Sequence, residues 1–199
     1  PHRYRVVYTA ETDFGRLDLY RNLALALDIE PAFRRAALWR QLKARISDLH
    51  DSQNLLPVWL IDEAQNLPRE FFRDLPAFLN FAFDSEDKLT VWLIGHPTLA
   101  ATLRTASFQA LASRLRVSVS LQPPQDPDSF AAMIHHALKA CGCHQTLMAD
   151  TGIRILYHAS GGKPRQAGQL LQTALQLAAE QGLSHLPDHL IEQAVEVHR

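Results

Sequence analysis

Several features that would place this chain in a specialised class of protein are scarce or absent. Two of its 199 residues are cysteines, too few for a disulfide framework, so we expect a reducing compartment, the cytoplasm. No apolar run approaches the length of a bilayer span, so we expect no membrane association. The formal net charge of −1 provides no general attraction to nucleic acid, which leaves any contact with DNA to a local patch.

The residues that are present suit a globular α/β protein. Hydrophobic residues make up 47% of the chain, enough to bury a core. Apolar or alternating runs predict four β-strands, at residues 4–9, 56–61, 89–94 and 117–121. Helical spacing of apolar residues predicts helices between these strands, including residues 71–82, which Pro76 should kink or split, and residues 99–115.

The order of these elements predicts two parts. Strands alternate with helices as far as residue 124, which indicates a parallel sheet with crossover helices. Beyond that point every periodic segment is helical, at about 128–141, 150–158, 164–181 and 188–197. We therefore predict an α/β core over residues 1–124 and an all-α subdomain over residues 125–199.

The strongest indication of chemistry is a pair of carboxylates, Asp62 and Glu63, directly after the apolar run 58–61. Open α/β sheets bind their ligands at the carboxyl ends of strands, where this pair would lie. Asp62 would hold a hydrated Mg²⁺, and Glu63 would polarise the water that attacks a γ-phosphate. Acidic pairs after apolar runs are common, so an exposed acidic turn is an equally good interpretation.

Three further residues have weaker functional interpretations. His96 follows the third strand and would orient or sense the attacking water. Arg114 would act as a finger that completes a neighbouring subunit's site. Arg165 follows the turn Gly161-Gly162 and would reach a phosphate across a cleft. Each has an ordinary alternative, namely a loop histidine and two solvated arginines.

In chain order, these four segments resemble the Walker B, sensor 1, arginine-finger and sensor 2 regions of AAA+ ATPases. The group they are most similar to includes general secretion pathway protein A and the TniB-like helper ATPases of transposition modules. The resemblance extends from about residue 3 to residue 197. The segments that carry it are 60–67 (LIDEAQNL), 93–99 (LIGHPTL), 111–115 (LASRL) and 160–165 (SGGKPR).

This resemblance implies a fold and a set of roles. The fold would be an AAA+ P-loop NTPase core, a three-layer domain around a parallel sheet, with a C-terminal helical lid. ATP and Mg²⁺ would be the cofactors of the complete protein, with Asp62 at the metal and Arg165 at the nucleotide. Glu63, His96 and Arg114 would be the catalytic residues.

One departure from the family is large. No G-x-x-x-x-G-K-[ST] motif occurs in the 199 residues, although the family has this phosphate-binding loop upstream of its equivalent of strand 4–9. We expect a fragment that lacks the first strand and this loop, and that binds ATP poorly without them. The absence of the family's central strand would leave unpaired backbone groups and exposed apolar faces.

The resemblance implies an oligomeric ATPase that assists DNA transposition, with further copies of itself, a transposase and DNA as partners. The first alternative is a secretion or envelope assembly ATPase, and the second is a non-enzymatic, truncated interaction module. A DEAD-like helicase is a weaker idea, because such enzymes need a second full α/β domain.

Other candidate sites have simpler interpretations. Residues 141–144 (CGCH), with His135 or His136, invite a metal site, but their spacing is unusual and no second half is visible. The basic helix at 34–45 would contact DNA phosphates or, more simply, present a solvated face. The phenylalanine-rich stretch 71–83 is expected in the core.

Overall fold

The computed structural model describes residues 3–12 and 15–198. The chain divides into two compact units, Pro1–Val119 and Ser120–Arg199. The first contains all the strands described and the second contains helices without strands.

A three-stranded parallel sheet organises the first unit. Its strands are β1 (Tyr4–Thr9), β2 (Leu56–Ile61) and β3 (Thr90–Leu93), in the spatial order β1-β2-β3. The register aligns Tyr8 with Leu60 and Leu60 with Trp92, so the three strands end level with one another. The runs at 4–9 and 56–61 match their predicted bounds, and the third strand lies inside its predicted range.

The helices of this unit pack on one face of the sheet. Both β-to-β connections step in the same direction along the sheet, and right-handed crossovers then place their helices on the same side. Alternate strand residues Val7, Trp59 and Ile61 point into a core shared with these helices. The helices are α1 (Arg16–Ala26), α2 (Arg35–Asp51), α3 (Arg69–Phe78), α4 (Pro97–Leu103) and α5 (Gln109–Ala112).

Aromatic rings fill the centre of this core. Tyr20, Trp39, Trp59, Phe71 and Phe78 form one cluster with neighbouring ring centroids 4.9 to 6.1 Å apart. Tilted and edge-to-face contacts at this spacing stabilise a core beyond the burial of area alone. The phenylalanine-rich stretch is therefore core, as expected, as far as Phe81, whereas Phe83 is fully exposed.

The other face of the sheet carries exposed apolar side chains. Tyr4, Val6 and Tyr8 on β1 are more than half exposed, as is Trp92 on β3. Parallel sheets normally have both faces covered, so this exposure is unusual for the fold. In the described residues, this unit therefore has two layers: the sheet, and the helices packed on the face that contains Val7, Trp59 and Ile61.

The predicted fourth strand is not formed. Residues 117–121 have no regular structure, and Val117, Val119 and Leu121 are 77%, 73% and 92% exposed. Their alternation suits a strand, but a strand exists only where another strand supplies ladder partners. Among the described strands, β3 lies at the edge of the sheet and pairs with β2 alone. The prediction of a strand at 117–121 was wrong, because the pattern of one segment does not show whether a second strand lies beside it.

Two predicted helices are shorter than expected. α3 passes through Pro76 without the predicted split and ends at Phe78. The predicted helix 99–115 breaks after α4, where the Thr105 hydroxyl donates to Thr102 O at 2.8 Å. Such local side-chain bonds compete with continuation of a helix. A 3₁₀ turn, Ala106–Phe108, then precedes α5.

The second unit contains four helices with their own core. They are α6 (Pro127–Ala140), α7 (Asp150–Ser160), α8 (Pro164–Glu180) and α9 (Asp188–Val197), close to the predicted ranges. Asp126 caps α6 by accepting from Ser129 N at 2.7 Å, and Gly161 ends α7 in the left-handed conformation. Phe130, Leu156 and Leu190 are fully buried in this core. No described helix is both long and apolar enough to span a bilayer.

Substitutions in the two cores should affect the two units separately. We expect Phe71→Ala to lower the free energy of unfolding of the α/β unit by about 3–5 kcal/mol, and Phe130→Ala to do the same for the helical unit. All three tryptophans lie in the α/β unit, so their fluorescence during urea unfolding reports on that unit alone.

The fully exposed Phe83 provides the matched control, since Phe83→Ala should change stability by less than about 0.5 kcal/mol. A large shift of the tryptophan transition by Phe130→Ala would contradict separate cores.

Candidate functional site

Polar side chains gather where β2 and β3 end. The ladder continues past both strands, because Asp62 N donates to Thr9 O and Ile94 N donates to Ile61 O, each at 2.8 Å. Ala64 N then donates to Ile94 O at 2.9 Å. These bonds hold the segments after the two strands side by side at the carboxyl edge of the sheet, where ligands bind in α/β proteins.

Asp62 is fixed by two hydrogen bonds. The Tyr8 hydroxyl donates to its Oδ2 at 2.8 Å, and Glu63 N donates to its Oδ1 at 2.9 Å. The bond to Asp62 is the main cause that raises the pKa of Tyr8 above its ordinary value. Each carboxylate oxygen keeps lone pairs for a further ligand, and the side chain is partly exposed.

Glu63 has an unusual backbone. Its φ of 49° and ψ of 34° lie in the left-handed region, which non-glycine residues rarely adopt. The buried Thr12 hydroxyl donates to its carbonyl at 3.1 Å, and Gln65 Nε2 donates to its Oε2 at 2.6 Å. Such strain persists where neighbours impose it, and it concentrates at functional sites.

His96 lies beside this pair. Its backbone N–H donates to Gln65 Oε1 at 2.9 Å, and its exposed imidazole approaches the Thr98 hydroxyl at 3.5 Å. Three predicted site residues, Asp62, Glu63 and His96, are thus brought to one edge of the sheet.

The two predicted arginines are not part of this cluster of hydrogen bonds. Arg114 follows α5 and pairs with Asp84, while its neighbour Arg116 pairs with Asp87 at 2.8 Å. Arg165 is exposed at the second position of α8, in the helical unit. Their roles at a nucleotide stay predictions.

Comparison with known proteins assigns the family. The profile of the AAA domain matches residues 1–103, more than half of the chain. The chain belongs to the AAA domain family. The matched region contains Asp62, Glu63 and His96.

One curated relative and several solved structures are similar to this AAA domain. General secretion pathway protein A of Aeromonas hydrophila is 32% identical over 127 residues, which cover 63% of this chain and 23% of that protein. The ORC2 protein of Aeropyrum pernix, in ADPNP–ADP complexes, superimposes with a TM-score of 0.72 at 15% identity, over 98% of this chain and 52% of that one.

Two further structures agree with this fold. Cdc6p of Pyrobaculum aerophilum gives a TM-score of 0.69 at 15% identity, over 92% of this chain and 50% of that one. RuvB of Thermotoga maritima, a Holliday junction branch migration motor, gives 0.57 at 16% identity, over 96% and 61%. At such identities the likeness concerns the fold alone: the chain has the fold of AAA+ P-loop NTPases. The chain spans about a quarter of the curated relative, about half of the Cdc6p and ORC2 structures and 61% of RuvB.

Four residues of the AAA domain's site carry no functional assignment from sequence reasoning. Tyr8 and Thr12 reach the acidic pair from β1 and the segment after it, and neither belongs to a recognisable motif. Gln65 and Gly95 lie inside the quoted segments, but their roles depend on contacts between two strand ends. Strand register, which the sequence pattern left open, is the information that would have identified them.

The other sequence candidates have structural explanations. On α2, Arg35 pairs with Asp74, Lys43 donates to two backbone carbonyls, and Arg45 donates to Leu27 O. Much of this helix's positive charge therefore holds the AAA domain together, which favours the structural interpretation over DNA contact. In the described residues, no three His, Cys, Asp or Glu side chains are grouped to hold a metal ion, so the CGCH segment gains no support.

The hydrogen bond between Tyr8 and Asp62 can be tested by titration. We expect Asp62→Ala to lower the pKa of Tyr8 toward its ordinary value of 10.0, because this substitution removes the acceptor and its negative charge. The measurement is the phenolate absorbance of each protein minus that of its Tyr8→Phe counterpart. Asp87→Ala, which removes a carboxylate paired elsewhere, is the control and should leave this titration unchanged.

The same bond has a consequence for stability. A phenol with a raised pKa in the folded state stabilises the protein fully below the unfolded pKa, and loses this contribution as pH rises through the folded pKa. The stability difference between wild type and Tyr8→Phe should therefore shrink as the pH rises from 10 upward. A difference independent of pH in that window would count against the bond.

Proposed function

We propose that this AAA domain hydrolyses ATP, with Glu63 as the residue that polarises the attacking water. The supporting observation is the strand-end cluster, in which Asp62 and Glu63 are held by hydrogen bonds from three segments of the chain beside His96. Phosphoryl transfer depends on positioning and charge neutralisation; the two carboxylates would position Mg²⁺ and the attacking water, and the Mg²⁺ would neutralise phosphate charge.

The side chains at the strand ends suit Mg²⁺ but provide only part of a nucleotide site. Carboxylate oxygens are the ligands that Mg²⁺ prefers, and Asp62 would bind the ion directly or through water. Bound Mg-ATP would supply the γ-phosphoryl group as electrophile. Glu63 would accept a proton from the water, and His96 would orient it. The phosphates need a nest of backbone N–H groups, and no such glycine-rich loop occurs in the 199 residues.

The exposed surfaces of the α/β unit support the idea that this loop is supplied by a further β-α element. In the part of the chain that the structure describes, the outer edge of β3 pairs with no strand, and residues 117–121 alternate without a strand partner. A strand paired with β3 would use this edge, and its following helix would cover the exposed face around Val6, Tyr8 and Trp92. We propose that ATP binds only when this element is present.

Replacement of Glu63 tests the enzymatic proposal. We expect Glu63→Gln, in the protein as encoded by its gene, to abolish ATP hydrolysis while leaving the affinity for Mg-ATP unchanged, because glutamine keeps the shape but cannot accept the proton. Glu70→Gln, at an exposed acid on α3, is the matched control. Phosphate release measures hydrolysis, and calorimetry measures binding.

Unchanged hydrolysis in Glu63→Gln would disprove the role of Glu63. A wild-type protein that binds no Mg-ATP would favour the alternative of a non-enzymatic interaction module, which the missing loop supports.

Oligomerisation is the second element of the proposal. Arg114 would act on the nucleotide of a neighbouring copy, and its present partner, Asp84, is an exposed carboxylate that a phosphate would have to replace. Guanidinium binds either anion through the same fork of N–H donors. The lid residue Arg165 would contact the nucleotide of its own subunit.

Mixing two inactive variants tests whether sites are shared. We expect Arg114→Ala to lower the turnover number by roughly 10³-fold or more. Mixed with Glu63→Gln, it should regain activity, because one variant supplies Glu63 and the other supplies Arg114 at the same interface. Arg116→Ala, which removes the neighbouring paired arginine, should keep most of its activity. No recovery on mixing would indicate that Arg114 does not act on a neighbour.

The biological role is a finer proposal. We propose a cytoplasmic helper ATPase of DNA transposition, of the TniB-like type, with a transposase and DNA as partners, on the strength of the four sequence segments. A secretion or envelope assembly ATPase is the second candidate, favoured by the 32% identity to general secretion pathway protein A. Genes for a transposase or for secretion components beside this gene distinguish the two.

A further inference from the structure

We infer that Gln65 is a positioning residue that couples the carboxylate of Glu63 to the backbone at His96. The effect on catalysis rests on the proposed ATPase function, whereas the coupling itself can be measured without nucleotide. The inference rests on two hydrogen bonds, one at each end of the Gln65 side-chain amide.

The two ends of the Gln65 amide make different bonds. Nε2 donates to Glu63 Oε2 at 2.6 Å, and Oε1 accepts from His96 N at 2.9 Å. A carboxylate can only accept and a backbone N–H can only donate, so one orientation of the amide satisfies both partners. The reversed amide would face acceptor with acceptor and donor with donor. Gln65 is therefore a strut of defined polarity between the two strand ends.

Gly95 provides the space for this strut. A Cβ on Gly95 would lie 2.4 Å from Gln65 Oε1 and 3.3 Å from Ala64 N. The backbone of Gly95 is not in the left-handed region, so its turn does not itself demand glycine. Gly95 therefore leaves room for the amide of Gln65. The segment after β3 and the acidic pair are linked by this steric fit as well as by hydrogen bonds.

The backbone of Glu63 is fixed independently of Gln65. Its N–H donates to Asp62 and its carbonyl accepts from Thr12, which leaves the side-chain torsions as its free movements. In the described residues, Gln65 is the side chain that hydrogen-bonds this carboxylate. A shift of the loop at His96 would therefore pass through the amide to the carboxylate that polarises water.

A cycle of variants in the full chain tests the coupling through the amide hydrogen exchange of His96, followed by NMR. We expect Gln65→Ala to speed this exchange about threefold to tenfold, the effect of losing one hydrogen bond. Glu63→Ala should also speed it, because the amide is then held at one end only. The double variant should exchange no faster than Gln65→Ala, since both act through one strut.

Two further variants separate the steric and polar parts. Gly95→Ala should reproduce the exchange rate of Gln65→Ala by displacing the amide. Gln65→Glu should keep His96 exchange near the wild-type rate, because its carboxylate still accepts from His96 N, but it cannot donate to Glu63. Asn66→Ala, an exposed neighbour, is the control and should change nothing.

Turnover provides the catalytic test in the protein as encoded by its gene. Gln65→Ala and Gln65→Glu should both lower kcat by about 10- to 100-fold with KM for ATP within about threefold, the pattern of a misplaced catalytic group. Loss of stability alone would not separate the two variants in His96 exchange.

Unchanged His96 exchange in Gln65→Ala, or additive effects of Glu63→Ala and Gln65→Ala, would overturn the coupling. Wild-type kcat in Gln65→Glu would overturn its catalytic consequence. Hydrolysis that survives in Glu63→Gln is a different failure, because it removes the proposed function while the exchange cycle still decides whether the strut exists.

Discussion

The candidate site depends on the parallel pairing of β2 with its two neighbours. This pairing aligns the carboxyl ends of three strands, and the ladder extends through Asp62 N and Ala64 N into the segments that follow. Residues more than thirty positions apart, such as Glu63 and His96, become neighbours for this reason. A slip of one residue in the register would turn every side chain of the shifted strand to the other face of the sheet and separate the members of the cluster.

The cluster also shows where local preference gives way to tertiary contacts. Glu63 occupies a left-handed conformation that costs free energy, and its N–H and carbonyl both have partners that maintain it. Other buried polar groups satisfy one another within the core. For example, the indole N–H of Trp59 donates to the Thr9 hydroxyl at 3.0 Å. A local violation with a full set of supporting bonds is typical of a functional site.

Exposed apolar surface is the other constraint on function. The α/β unit packs its helices on one sheet face, while Val6, Tyr8 and Trp92 remain exposed on the other, beside a strand edge that no described strand pairs with. An uncovered apolar face and an open edge together are unfavourable in water. In the proposed enzyme, a further β-α element that carries the phosphate-binding loop would complete the sheet and the nucleotide site together.

The sequence by itself determined the type and order of most elements, because apolar periodicity reflects which face of each element is buried. It also identified Asp62, Glu63 and His96 as residues at strand ends, through the pattern of apolar runs followed by polar residues. The tertiary structure decided which of these residues share partners, since Tyr8, Thr12 and Gln65 reach the acidic pair by contacts that local patterns do not encode. It also decided that residues 117–121 form no strand: alternation describes one chain segment, whereas a strand requires a second one beside it.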